Sequence, residues 1–433
     1  MNDGAWHRRP SDDEIGRVVD DARRQGLIGE LDTAVLFHDL DLLEARLDEL
    51  AAAFPPATLH SIAMKANPLV EVLKVVVERG CGLEAASFEE VKLALAAGCP
   101  PDRIVFDSPA KTVPELRAAL EFGIRINADN FVELDRIIEL RPDDSTSIVG
   151  LRVNPMVGAG TIPMTSVAGR GSRFGIGVDD VLEGLVPRAA DHPWIRCLHH
   201  HVGSQGISLE AHAAAAAATA ALRDRLHDAL GRHQFDIVDI GGGATTDYTG
   251  EGATDPVAFA AAVRAAAPSL FDTDTTLVTE FGRAIQANCG WAISTVEYVK
   301  ETPDGPIAVL HLGADFLLRP VYQSEHWRHR FSTIGTPSTG TADWTVSGPL
   351  CFAGDITSRS ADLGPVAPGD TVVIHDVGAY TLAMWSRHCS RGIPLVLGHR
   401  ADPTGATRFD LLRARETADD IVTFWSARPF APR

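Results

Sequence analysis

From about residue 58 to 285, short apolar runs alternate with longer stretches in which apolar residues recur every three or four positions, the pattern of repeated strand and helix units. Eight candidate strands stand out, at 60–65, 82–87, 103–108, 125–129, 148–154, 195–204, 237–243 and 277–283, with amphipathic segments such as 88–97, 113–122 and 131–140 between them. Eight such units predict an α/β fold, a (β/α)8 barrel. The alanine-rich stretch 212–221 runs on into 222–230 and reads as one long helix, because alanine has the best helix propensity and no side-chain entropy to lose. After 283 the pattern changes to short β-like runs, at 295–298, 307–312 and 371–375, set between Gly, Pro and Asp turns, which predicts a C-terminal β domain. The opening residues to Asp32 are polar and helical, and 33–38 reads as a strand returning to that domain. The expected division is a segment 1–41 partly joining the β domain, a barrel over 42–290 and a β domain over 291–433.

Composition narrows the class. With 433 residues, 45% of them hydrophobic and 22% charged, the chain holds ample core. A formal charge of −19 opposes nonspecific binding to nucleic acid or anionic membranes, while leaving room for a local basic pocket for phosphate. No apolar run approaches the ~20 residues of a membrane span, and residues 1–14 lack the apolar core of a signal peptide, so a cytoplasmic protein is expected. The six cysteines show no C-x-x-C spacing, which fits reduced thiols better than a disulfide frame or structural zinc. Cys351 differs from the others, because turn formers flank it in the stretch 347–355 and would hold its thiol on a loop.

Barrel enzymes carry their chemistry at the C-terminal ends of the strands. Lys65 ends the first strand, Glu84 lies in the second, His201 and Ser204 end the sixth, Gly241, Gly242 and Gly243 end the seventh, and Glu280, Gly282 and Arg283 end the eighth. Taken alone, Lys65 reads first as a solvated strand-end lysine, and only the later motifs change that. Three glycines let backbone N–H groups approach an anion that side chains would obstruct, although the same run also serves as a plain turn. Gly282 and Arg283 one strand later favour the anion. His199 and His201 form an H-x-H pair on one strand face, a metal-binding alternative. Matching ligands are not evident at the other strand ends, and no metal is expected.

In their order along the chain these motifs resemble the fold-type III pyridoxal phosphate (PLP)-dependent decarboxylases, the family of diaminopimelate and ornithine decarboxylases. The resemblance runs from Thr33 to about Arg391 and rests on 63–67, 82–87, 172–176, 201–205, the triple glycine, 280–283, Arg319-Pro320, 351–355 and 378–380. It implies that Lys65 forms the internal aldimine of PLP and that decarboxylation proceeds through a quinonoid intermediate. It further implies that His201 stacks on the pyridine ring and that Glu280 pairs with the pyridinium nitrogen, keeping the ring an electron sink. Ser204, Gly243, Gly282, Arg283 and Tyr380 would hold the phosphate, with Glu84 near the aldimine. Cys351 would come from the other subunit of a homodimer with shared sites and help protonate the carbanion. The alanine racemases resemble the same architecture but place an arginine at the ring nitrogen, so Glu280 argues against them. Arg319 is the candidate for a substrate anion, its alternative being a surface ion pair.

The substrate side departs from the diaminopimelate branch. Phe352 stands where that branch has a glutamate for the distal amine, and an apolar ring cannot neutralise an ammonium. Gln323 replaces a substrate-binding tyrosine, with Tyr322 one residue out of register. His388 and Cys389 replace Tyr and Asn, and Phe281 replaces a proline. The expectation is a PLP-dependent decarboxylase of an amino acid other than the usual diamines, with an aromatic or apolar side chain compatible with Phe352 and Trp385. Decarboxylation of a carrier-tethered or conjugated amino acid, ordinary diaminopimelate decarboxylation and a non-catalytic regulatory relative are the alternatives.

Overall fold

The computed structural model describes residues 4–248, 252–336, 340 and 343–427. Of the opening segment read above, Met1–Asp3 lie outside the described residues. The chain forms two compact units, the first built from residues 1–7, 44–247 and 252–285 and the second from 8–43, 248–251 and 286–433.

The first unit is a closed parallel barrel of eight strands: Leu59–Ala63, Gly82–Ala85, Ile104–Phe106, Arg125–Ala128, Val149–Asn154, Ile195–His199, Ile237–Asp239 and Thr276–Thr279. Each pairs in parallel with its chain neighbours, and the eighth pairs with the first, Val278 opposite Leu59, to close the ring. Leu59, Val105, Cys197, Ile237 and Val278 form one buried cluster of its core. All eight expected strands are present, but most end earlier than the apolar runs suggest. The run 195–204 stops pairing at His199 and 237–243 at Asp239, because the polar residues and glycines that follow peel off into loops at the barrel rim. The two-residue strand Ile176–Gly177 lies beside the fifth strand.

Helix starts follow local chemistry. Ser87 caps Phe88–Ala96, Asn130 caps Phe131–Leu140, and Thr112 with Glu115 forms a capping box on Val113–Phe122. Each such cap contributes about 1 kcal/mol. The alanine-rich segment forms a single 22-residue helix, Leu209–Leu230, capped by Ser208 and closed by Gly231.

In the second unit, a six-stranded sheet runs in the order Phe331–Thr333, Thr371–Ile374, Gly290–Thr295, Ala34–Asp39, Leu395–Ala401, Thr407–Arg413. Ala34–Asp39 lies inside this sheet, antiparallel to Gly290–Thr295 and parallel to Leu395–Ala401. Helix Asp12–Arg24 contributes Ile15, Val19 and Ala22 to the core with Val35, Phe37 and Trp291. A four-stranded sheet joins Tyr298–Thr302, Gly305–Val309, Trp344–Ser347 and Ile356–Ala361. The run 295–298 is not one strand: Thr295 ends one strand and Tyr298 begins another. Between them Val296 N–H donates to Asp370 and Glu297 N–H to Val309, as the chain passes from one sheet to the other. No helix among the described residues is long and apolar enough to cross a membrane.

Candidate active site

Lys65 lies just beyond the first barrel strand, in the single turn Met64–Ala66, and not in the strand itself. The turn closes when Asn67 N–H donates to Met64 O. The Lys65 ammonium donates to both oxygens of Glu84, each at 2.7 Å. Glu84 is fully buried in the second strand. Burial raises its pKa to about 7; Glu280 and Asp107 push the same way, against the pull of Lys65.

The three histidines part company. His199 faces the barrel interior, with Nδ1 3.4 Å from Asp107 and Nε2 3.6 Å from Glu280. His200 points to the surrounding helix, where Nδ1 meets Thr219 Oγ1 at 2.9 Å, and burial drives its pKa down to about 3. His201 follows the strand end and accepts the Gly242 N–H on Nδ1 at 3.2 Å. Desolvation and the nearby Arg152 hold His201 neutral, well below the usual imidazole range. His199 and His201 therefore make no joint ligand pair. Asp107, His199 and Glu280 do offer three ligand-type atoms within 4.8 Å of one another. Their carboxylates, however, sit at opposite ring nitrogens, which is the geometry of a bridging imidazole, not of three donors converging on one ion.

Glu280 follows the eighth strand and is buried. One of its oxygens faces His199, and the other, Oε1, has no hydrogen-bond partner among the described residues. Burial pushes its pKa up, but His199 and Lys65 outweigh that and hold it well below the carboxylate range. Beside it, Gly243 adopts φ +121°, and a Cβ at Gly242 would run into the Glu280 carbonyl. Gly282 packs closely on Ala63 and Ala66, and the Arg283 Nε donates to Ser204 Oγ at 3.3 Å. Eight expected site residues, Lys65, Glu84, His201, Ser204, Gly243, Glu280, Gly282 and Arg283, thus lie in the barrel unit at or just past strand C-termini. Phe281 packs on Phe54 and Phe259, so the ring that replaces proline fills core.

The remaining expected residues lie in the second unit. The Arg319 guanidinium carbon is 4.7 Å from the Trp327 ring centre and 4.6 Å from that of Tyr380, whose backbone is held at φ +56°. Phe352 stacks on Tyr322 at 6.2 Å and meets His388 edge-on at 6.1 Å. Gln323 ends the short helix Leu318–Tyr322, its N–H donating to Arg319 O. Cys351 is exposed. Trp385 leans on Phe316 and donates to Arg391 O. Asp107, Arg152, His199 and Asp239 escaped the sequence reading as a group. Their signal was a polar residue within or just after an otherwise apolar parallel strand.

A closed parallel barrel with Lys65, Glu84, His199 and Glu280 gathered at the C-terminal ends of its strands has the arrangement of an α/β-barrel enzyme. Residues 40–287 match the family described as pyridoxal-dependent decarboxylase, pyridoxal binding domain. The chain is 33% identical over 342 residues to diaminopimelate decarboxylase of Pseudomonas fluorescens, covering 77% of this chain and 79% of that protein. It is 34% identical over 341 residues to the enzyme of Pseudomonas aeruginosa, with the same shares covered. The crystal structure of diaminopimelate decarboxylase from Helicobacter pylori complexed with L-lysine superposes with a TM-score of 0.82 at 27% identity, over 93% of this chain and 98% of that one. This chain belongs to the fold-type III PLP-dependent decarboxylases. It is a PLP-dependent amino-acid decarboxylase. The residues present fit the cofactor: Glu280 Oε1 is a buried acceptor with no hydrogen-bond partner among the described residues, the chemistry a protonated ring nitrogen requires.

Proposed function

We propose that the enzyme decarboxylates an amino acid whose side chain lacks a distal ammonium, with aromatic or apolar side chains favoured. The observation that carries this reading is Phe352, engaged by Tyr322 and His388 at the position where the diaminopimelate branch has a carboxylate. The nearest acidic residue along the chain, Asp355, does not compensate. Its oxygens accept the N–H groups of Ala314 and Leu350 and so staple a turn.

When bound, PLP withdraws electrons from the Cα–carboxylate bond of the substrate. Lys65 supplies the amine that attaches it, and Glu84, with a pKa raised to about 7, holds or releases the proton at Lys65 Nζ. Glu280, kept ionised, would hold a proton on the ring nitrogen. His201, kept neutral, offers a ring face without adding positive charge. Gly243, Gly282, Ser204 and Arg283 would bind the phosphate, with Tyr380. Arg319, its guanidinium carbon 4.7 and 4.6 Å from the Trp327 and Tyr380 ring centres, suits a carboxylate, and Gln323 follows four residues later. Cys351 would donate the proton that replaces carbon dioxide, supplied by a second copy of the chain in a homodimer. Six free thiols fit cytoplasmic residence.

The test is carbon dioxide release by the PLP-loaded enzyme across basic, acidic, apolar and aromatic amino acids in both configurations, with diaminopimelate included. Release from apolar or aromatic substrates alone supports the reading. Release from diaminopimelate alone would favour the second reading, ordinary diaminopimelate decarboxylation, which the named relatives support. Silence with a borohydride-reducible cofactor adduct would point to a carrier-tethered or conjugated amino acid.

A further inference from the structure

We propose that His199 is a positioning residue that works as a buried imidazolium: lodged between Asp107 and Glu280, it keeps Glu280 ionised and leaves the second oxygen of that carboxylate for the ring nitrogen of the cofactor. The inference rests on the reading of the barrel rim as the PLP pocket and deepens it.

The argument begins with donor and acceptor counting. A neutral imidazole carries one N–H and one bare nitrogen. At His199 each ring nitrogen faces a carboxylate, Asp107 on Nδ1 and Glu280 on Nε2, and the ring is fully buried. Either neutral tautomer would set a lone pair against an anion in a fully buried site. Only the doubly protonated ring satisfies both sides. Distances of 3.4 and 3.6 Å mark charge contacts longer than ordinary hydrogen bonds, so the attraction is chiefly Coulombic.

The surroundings complete an alternating row. Arg152 lies 3.4 Å from the far oxygen of Asp107, so the charges run Arg152, Asp107, His199, Glu280. The other groups around His199 are Asp239 on the seventh strand, Glu84 and Lys65 beyond Glu280, and His201 on its own segment; His200 turns away to Thr219. Asp239 accepts the Gly241 N–H at 2.9 Å, and burial with the neighbouring Glu280 holds it well above the carboxylate range, so it adds little negative charge. Burial pulls His199 down, but Asp107 and Glu280 outweigh it and bring the ring to about 9. Without His199, Glu280 would face the same burial with only more distant cations to oppose it.

Histidine-selective 15N NMR tests this on apoprotein and on PLP-loaded enzyme between pH 6 and 9, with His199→Gln assigning the resonance. Both His199 nitrogens should be protonated up to pH 8, and Asp107→Asn should lower the pKa of the ring by about one unit or more. His199→Gln should weaken PLP binding about tenfold and shift the pH dependence of the absorbance of bound PLP. Asp107→Asn, which keeps the side-chain shape, should shift it in the same direction by less. A bare ring nitrogen at pH 7, a metal-bound one with a stoichiometric divalent ion, or unchanged PLP affinity and pH dependence in His199→Gln would each overturn the proposal. The apoprotein spectrum reads the imidazolium independently of catalysis. An imidazolium in a protein that attaches no PLP at Lys65 would instead sink the pocket assignment beneath it.

Discussion

The barrel rim and the aromatic cluster of the second unit solve opposite electrostatic problems. At the rim, Lys65, Glu84, His199, Glu280, Asp107 and Arg152 concentrate charge inside a buried shell, where each group is held by a partner of opposite sign. In the second unit, one cation, Arg319, lies against the Trp327 and Tyr380 rings, and Phe352 is covered by rings. Charge in the first place suits a cofactor with a phosphate and a ring nitrogen. Its sparseness in the second suits discrimination among side chains. Removing one partner inside the barrel would leave a charge bare, whereas Phe352 meets Tyr322 and His388 ring to ring.

The contrast can be broken at four points. Lys65→Ala should abolish turnover, by at least about a thousandfold, and remove the borohydride-reducible adduct; a reducible adduct at another lysine would refute the assignment. Cys351→Ala should slow turnover on the order of 10- to 100-fold with cofactor still bound. Mixing it with Lys65→Ala protein should restore part of the activity if two copies share their sites, and no recovery would argue against that sharing. Phe352→Glu should move the preference of the enzyme toward diamines by about tenfold in kcat/KM, while leaving PLP affinity unchanged. A change in both would show that the two regions are not independent.

The smallest expected effect concerns pH. In the apoprotein, the Glu84 pKa stands near 7 against an ordinary value of 4.5. Its contribution to stability is therefore complete below pH 4.5 and is lost as pH rises through 7. Glu84→Gln, neutral throughout, should flatten the fall of Tm over that interval; an unchanged slope would show that Glu84 is ionised across it.

The sequence by itself determined the alternation of strand and helix, because parallel strands buried on both faces must be apolar runs and helices must show a stripe every three to four residues. It also placed Lys65, Glu84, the glycines and Glu280 at strand ends, since their order along the chain is the order of the strands around the barrel. Strand lengths were less legible: hydrophobicity persists past the last paired residue, and only the ladder shows that pairing stops at His199 and Asp239. The row from Arg152 to Glu280 was hidden for a stronger reason. Its members lie in or just after the third, fifth, sixth and eighth strands, and only closure of the barrel turns residues 45 to 92 positions apart into neighbours whose charges decide one another's protonation.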